Sequence, residues 1–202
     1  MNSLNGDLVK VMLIGDVGVG KTSMILRYFD IGFDELLLST TNFDFKTKMI
    51  HIDNKIINLQ VWDSLGQEKY NSISANYLRF CEGIIIVFDV SNSSSFVNLK
   101  NWISVIKEKA ESKRIIIVGN KIDLNQKRQI SFQEANELAQ ELNLKYFETS
   151  AKDNANIQDI FLDIAQDIIN NPEFINRSDI SIVLEKRKKG DGDIIYNHSC
   201  SC

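Results

Sequence analysis

Val9-Lys10-Val11-Met12-Leu13-Ile14-Gly15-Asp16-Val17-Gly18-Val19-Gly20-Lys21-Thr22 is the stretch on which the fold of this chain turns. Six residues of strand character lead into a complete G-x-x-x-x-G-K-[ST]. Glycines let such a loop curl so that backbone N–H groups point inward at phosphate oxygens, and a helix opening at Lys21 adds its positive end. Lys21 is placed to reach the β- and γ-phosphates and the Thr22 hydroxyl to bind Mg2+, with Asp16, Val17, Gly18, Val19, Gly20 and Ser23 completing the cradle.

Outward from this loop, apolar runs of strand length alternate with segments of helical period, the trace of βαβ units and a mostly parallel sheet. Strands are expected over 9–14, 44–52, 56–62, 83–88, 115–118 and 145–147. The turn signal Asp53-Asn54 joins the second and third into an antiparallel hairpin at one edge of the sheet. The runs 84–88 and 115–118 do not alternate in polarity, as befits central strands covered by helices on both faces. Helices are expected over 21–30, 70–80, 96–111, 132–142 and 157–169, with Ser131 and Glu134 forming a capping box.

With 202 residues, 44% of them hydrophobic, the chain can bury one sizeable core plus a short extension. Pro172, the only proline, follows the last helical stretch, so a folded domain over 1–170 and a tail over 171–202 are expected. The formal charge is −4 and the whole acidic excess lies before the tail, which argues against a nucleic-acid surface. Met1 to Asp7 lacks a basic-then-apolar order, and no apolar run has membrane-spanning length. Three cysteines, one internal and two terminal, suit a reducing cytoplasm rather than a disulfide framework.

Such a loop serves kinases, ATPases and GTPases alike, and three further segments separate them. Asp63-Ser64-Leu65-Gly66-Gln67 follows a strand, so Asp63 emerges at the carboxyl edge of the sheet, where it can hold the metal's water shell. The Gly66 N–H can approach a γ-phosphate, and Gln67 can orient an attacking water. Asn120-Lys121-Ile122-Asp123 follows another strand. The Asp123 carboxylate can accept from the N1–H and exocyclic amine of guanine, a paired donor face that adenine lacks. Lys121 can lay its stem over the ring, and Asn120 can tie neighbouring loops together. In Glu148-Thr149-Ser150-Ala151-Lys152 the Ala151 N–H would face the guanine carbonyl. Phe33 reads equally as a ring packed on the base or as an ordinary core residue. A P-loop ATPase or kinase is the remote rival, opposed by Asp123 and Ala151.

These segments, in this order over residues 8–170, resemble the Ras superfamily of small GTPases. Asn42-Phe43-Asp44-Phe45-Lys46, Leu59-Gln60-Val61-Trp62-Asp63, Lys69-Tyr70-Asn71-Ser72-Ile73, Ile86-Val87-Phe88-Asp89-Val90 and Leu99-Lys100-Asn101-Trp102 are similar to the stretches that distinguish its Rab family. The resemblance implies a P-loop small-GTPase fold binding GTP or GDP with Mg2+, in which Thr40 joins Thr22 and Asp63 at the metal and meets the γ-phosphate. It implies GTP hydrolysis involving Gln67 and Lys21, and an effector patch of Phe45, Trp62 and Tyr77, which without it read as core aromatics. It further implies effector proteins, an exchange factor, a GTPase-activating protein, a GDP-dissociation inhibitor and prenylation machinery as partners of a monomeric switch in membrane traffic. The terminal Cys200-Ser201-Cys202 resembles the Rab double-prenylation signal, which would hold the protein on the cytosolic face of endomembranes or the plasma membrane. Lys186-Arg187-Lys188-Lys189 would add attraction to an anionic leaflet, or be a solvated charge run.

Three positions depart from the family pattern. Thr41-Asn42 stands where most Rabs have Ile-Gly, Leu65 replaces a small alanine, and Val17 occupies a loop position that usually carries a small residue. Val17 either crowds the space in which Gln67 positions water or is simply tolerated. Together Val17 and Leu65 predict slow intrinsic hydrolysis, with a GTP-held effector platform as the alternative.

Overall fold

The computed structural model describes residues 7–34, 44–64, 75–109 and 113–174. Six strands form one sheet: β1 (Asp7–Ile14), β2 (Asp44–Ile52), β3 (Lys55–Asp63), β4 (Gly83–Asp89), β5 (Arg114–Asn120) and β6 (Lys145–Thr149), in the order β2-β3-β1-β4-β5-β6. The edge strand β2 is antiparallel to β3, turning at Asp53 and Asn54, and the remaining pairings are parallel. The helices are α1 (Lys21–Tyr28), α2 (Ala75–Phe80), α3 (Ser93–Val97), α4 (Leu99–Lys109), α5 (Phe132–Glu141) and α6 (Ile157–Asn170), with 3-10 turns at Ile122–Lys127 and Pro172–Phe174.

Sheet alternation divides the core in two. Leu13 of β1, Ile85 and Val87 of β4 and Val118 of β5 face α1 and α6, while Met12, Ile84, Ile86, Phe88 and Ile117 face the opposite way. The second face is covered by Leu78 of α2, by Leu99, Trp102, Ile103 and Ile106 of α4, and by Ala135 and Ala139 of α5. β4 is buried at all seven positions, which is why its apolar run does not alternate. α6 buries Ile157, Ile160, Phe161, Ile164, Ala165, Ile168 and Ile169, one stripe at helical spacing.

The expected helix over 96–111 begins earlier and in two pieces. Asn92 accepts the Ser94 N–H at 3.1 Å, capping α3, and the Ser95 hydroxyl donates to the Asn92 carbonyl at 2.7 Å. The polar run Asn92 to Ser95, which lacks apolar periodicity, is therefore a capped first turn rather than loop. The expected helix over 21–30 stops at Tyr28, with Asp30 in the left-handed region. Ser131 caps α5 by accepting the Glu134 N–H at 3.1 Å, as its sequence signature predicts. Past α6, Phe174 still packs against the first core face, so the described fold runs on beyond residue 170. Residues 70–74 of the expected second helix lie outside the described residues.

Candidate functional site

β1 delivers the phosphate loop directly over the sheet. Gly15 has φ +140°, and a Cβ there would be driven into the Val87 carbonyl of the neighbouring strand. Gly20, at φ +98°, lies so close to the Asn120 amide that a side chain would collide with it. Between them Val19 is buried and pins the loop, while Val17 stands 49% exposed. Lys21 opens α1 and is only 5% exposed; its ammonium donates to the Gly15 carbonyl at 2.8 Å and the Asp16 carbonyl at 2.9 Å. An ammonium buried beside a ring of backbone suits an anionic ligand. Ser23 is half-buried in the first turn of α1.

The Thr22 hydroxyl donates to Asp63 Oδ2 at 2.7 Å, and Asp63 is buried at the carboxyl end of β3. A hydroxyl and a carboxylate side by side, next to a phosphate cradle, are the hard oxygen donors that Mg2+ takes. Phosphate and metal therefore both fit the residues present.

Asn120 ends β5 and is 1% exposed. Its amide donates to the Val19 carbonyl at 2.9 Å, and its oxygen accepts from the Thr149 hydroxyl at 3.1 Å and the Ala151 N–H at 3.3 Å. One side chain thus clips the phosphate loop to the loop after β6, the tie foreseen for it. The Ala151 N–H, expected to face the base, is here turned on Asn120 at the long end of hydrogen-bond range. Asp123 Oδ1 accepts the Ser150 hydroxyl at 2.6 Å, and Oδ2 accepts nothing among the described residues. Lys121 takes φ +70°, and its ammonium pairs with Asp89 Oδ2 at 2.8 Å. Lys152 is exposed.

Behind this loop Glu148 takes a two-pronged bond from Arg128, at 2.8 and 2.9 Å, and the Tyr146 hydroxyl at 2.8 Å. Burial, followed by the bond to Glu148, pushes the Tyr146 phenol above its ordinary value.

The aromatic candidates separate clearly. Phe33 is half-buried against the first core face, with the Arg27 guanidinium 5.6 Å from its ring centre. Phe45 is 46% exposed and lies opposite Trp62 across the β2–β3 pair, ring centres 4.7 Å apart. Phe45 is therefore a surface residue, while Trp62 leans on the second core face. Thr40, Thr41, Asn42, Leu65, Gly66, Gln67, the side chain of Tyr77, residues 186–189, Cys200 and Cys202 lie outside the described residues.

Other residues of the site carry no motif. Arg27 of α1 donates from Nε to the Ala151 carbonyl and from Nη2 to the Lys152 carbonyl, both at 2.7 Å. The Asp16 carboxylate accepts the Trp102 indole N–H at 2.9 Å and the Asn98 amide at 2.7 Å, which ties the loop to α4 on its other side. Asp16 was legible as part of the phosphate-loop motif and Trp102 as part of a family stretch, and a buried indole N–H needs an acceptor, but neither showed that the two would meet. Asp89, whose Oδ1 accepts the Ser91 N–H at 2.8 Å, was legible only as part of a family stretch.

A doubly covered sheet with a glycine-rich phosphate loop and two base-side loops meeting at its carboxyl edge defines the class: a P-loop nucleotide-binding domain of the small-GTPase fold. A profile of the Ras family matches residues 10–170. The chain is 44% identical over 163 residues to Ras-related protein Rab-8B of Homo sapiens, covering 80% of this chain and 79% of that protein. It is 43% identical over 162 residues to Ras-related protein Rab-8A of Rattus norvegicus, covering 80% and 78%. To Ras-related protein Rab-8 of Diplobatis ommata it is 43% identical over 163 residues, with the same coverage of 80% and 78%. The chain belongs to the Ras family and, within it, to the Rab small GTPases. Proteins of this family bind GTP and GDP with Mg2+, hydrolyse GTP and act in membrane traffic. Among the described residues no helix is long and apolar enough to cross a membrane.

Proposed function

We propose that this chain is a GTP switch with slow intrinsic hydrolysis that gathers effectors on a membrane while GTP is bound. The observation that carries its ligand is Asn120, whose one amide holds the phosphate loop and the base-side loop in a single frame. Lys21 is the cation for the β- and γ-phosphates, and the loop amides from Asp16 to Gly20 surround them. Thr22 and Asp63, with Thr40, hold Mg2+, which when bound neutralises charge on the phosphates. Asp123 selects guanine, Lys121 lies along the base with its ammonium anchored on Asp89, and Ser150, Ala151 and Lys152 close the far side. Phe33 packs at the rim.

Thr40 and Gly66 hold their loops through contacts that exist only with a γ-phosphate, so hydrolysis releases them. Gln67 orients the water. Phe45 and Trp62, already in tilted ring contact at the sheet edge, offer the effector surface with Tyr77. Prenyl groups on Cys200 and Cys202 would supply the anchor, two chains being stable where one is marginal. Effectors, an exchange factor, a GTPase-activating protein and a GDP-dissociation inhibitor follow from family membership.

Slow hydrolysis is supported by Val17, whose branched side chain is exposed from the phosphate loop rather than absorbed in the core. Single-turnover hydrolysis of GTP tests it: Val17→Ser and Leu65→Ala should each be about three- to tenfold faster, a tenfold change being about 1.4 kcal/mol in the barrier. Equal rates would end the idea. The same exposure favours the second possibility, a GTP-held platform. Failure of multiple-turnover phosphate release even with an accelerating protein would select that platform.

A further inference from the structure

We infer that Arg27 is a positioning residue for base recognition, a fork on α1 that fixes the Ala151–Lys152 segment and thereby sets how slowly the nucleotide leaves. It deepens the guanine-binding function proposed above and rests on it.

Arg27 lies on the helix that Lys21 and Thr22 open, about 9 Å further along the axis at 1.5 Å rise per residue. Its Nε and Nη2 reach two successive carbonyls, Ala151 and Lys152, at 2.7 Å each. No carboxylate pairs with this guanidinium among the described residues; its other contact is the Phe33 ring, 5.6 Å away. Two short bonds from one planar fork fix the orientation of consecutive peptide units, which a flexible lysine cannot reproduce.

The segment it holds is fixed at its base by other means. Ser150 and Ala155 exchange backbone hydrogen bonds of 3.2 and 2.9 Å, and the Ser150 hydroxyl accepts the Asp153 N–H at 3.0 Å. Asn120 holds Thr149 and the Ala151 N–H from within the core. Arg27 is thus the constraint on the apex from α1. Because α1 also carries the phosphate-side residues, the fork ties the distance between phosphate and base contacts to one rigid helix. The Phe33 ring on the same guanidinium links the chain that follows α1 to that frame.

The test follows release of GDP, inosine diphosphate and ADP from preloaded full-length protein, chased by excess GTP in Mg2+. Inosine keeps the carbonyl that Ala151 would meet but lacks the exocyclic amine that Asp123 would read. Arg27→Gln and Arg27→Lys should each release GDP and inosine diphosphate about tenfold faster, the scale of losing bonds from a charged donor. The ratio between the two release rates should stay at its wild-type value.

Wild-type release from both variants would overturn the inference, as would recovery of the wild-type rate by Arg27→Lys, which would make charge alone sufficient. A collapsed ratio would overturn it by routing the effect through Asp123. If Arg27→Gln does not fold, Arg27→Lys, of similar length and equal charge, carries the test. Wild-type protein that releases ADP as slowly as GDP would instead sink the guanine-binding proposal itself, and this inference with it.

Discussion

Asn120 and Phe45 show how differently single residues speak before and after folding. Asn120 was expected to tie loops together, and it does so with three hydrogen bonds inside the core. Removing it leaves the buried Val19 carbonyl and Thr149 hydroxyl without their partner, at about 1–3 kcal/mol for each unsatisfied group. Asn120→Ala should therefore release GDP at least about tenfold faster, as 1.4 kcal/mol is a factor of ten, and should lower the melting temperature of the GDP-loaded protein. Release at the wild-type rate would remove Asn120 from the site. Phe45 illustrates the opposite case, because apart from the family resemblance it read as a core aromatic and it is 46% exposed. Its exposure depends on β2 being the edge strand, which is a property of the sheet and not of the residue.

Among the elements, the start of β4 holds a group that no motif announced. Glu82 is 4% exposed, its carboxylate accepts the Lys10 N–H at 2.8 Å, and its backbone joins β1 to β5 through Lys10 and Arg114. Burial raises its carboxyl above the ordinary value of 4.5, only partly countered by the Lys10 hydrogen bond and the nearby lysines. The folded state thus keeps a proton that the unfolded chain releases. Stability from this group is complete below the unfolded value and is lost as pH rises through the folded one. Glu82→Gln retains an acceptor and removes the titration, so its melting temperature relative to wild type should climb between pH 4 and pH 7. A difference of about 1 kcal/mol would read as about 2–4 °C in a chain of this size. A difference independent of pH would show that Glu82 titrates as in water. Next to it, burial pushes the Cys81 thiol up to about 12, so the one internal cysteine is a core residue rather than a reactive one.

For the whole molecule, the site and the end of α6 lie at opposite ends of the sheet. Phosphate and base loops gather at the carboxyl edge, while α6 brings Ile164 and Ile168 against Gly83 at the start of β4 before it ends. A chain stopped after residue 174 should bind GDP with the affinity of the full chain. After treatment with prenylation machinery, only protein with both Cys200 and Cys202 should sediment stably with vesicles, and Cys200→Ser or Cys202→Ser should bind marginally and reversibly. Loss of GDP affinity on truncation would make the tail part of the domain. Equal sedimentation of the single-cysteine variants would show that one lipid suffices.

The sequence by itself determined the local features: the glycine-rich loop between strand and helix, the hairpin turn at Asp53 and Asn54, the cap at Ser131, the unalternating central strands and the base-side motifs. Each is written in neighbouring residues, because turn chemistry, capping and burial on both faces act over a few positions. Only the tertiary structure decided which distant groups meet. Arg27 and the carbonyls it holds are 124 and 125 residues apart, and Asp16 meets Asn98 and Trp102 across 82 and 86. Those bonds depend on the strand order and on which face each helix covers, and a lone arginine or aspartate in the sequence carries no mark of either.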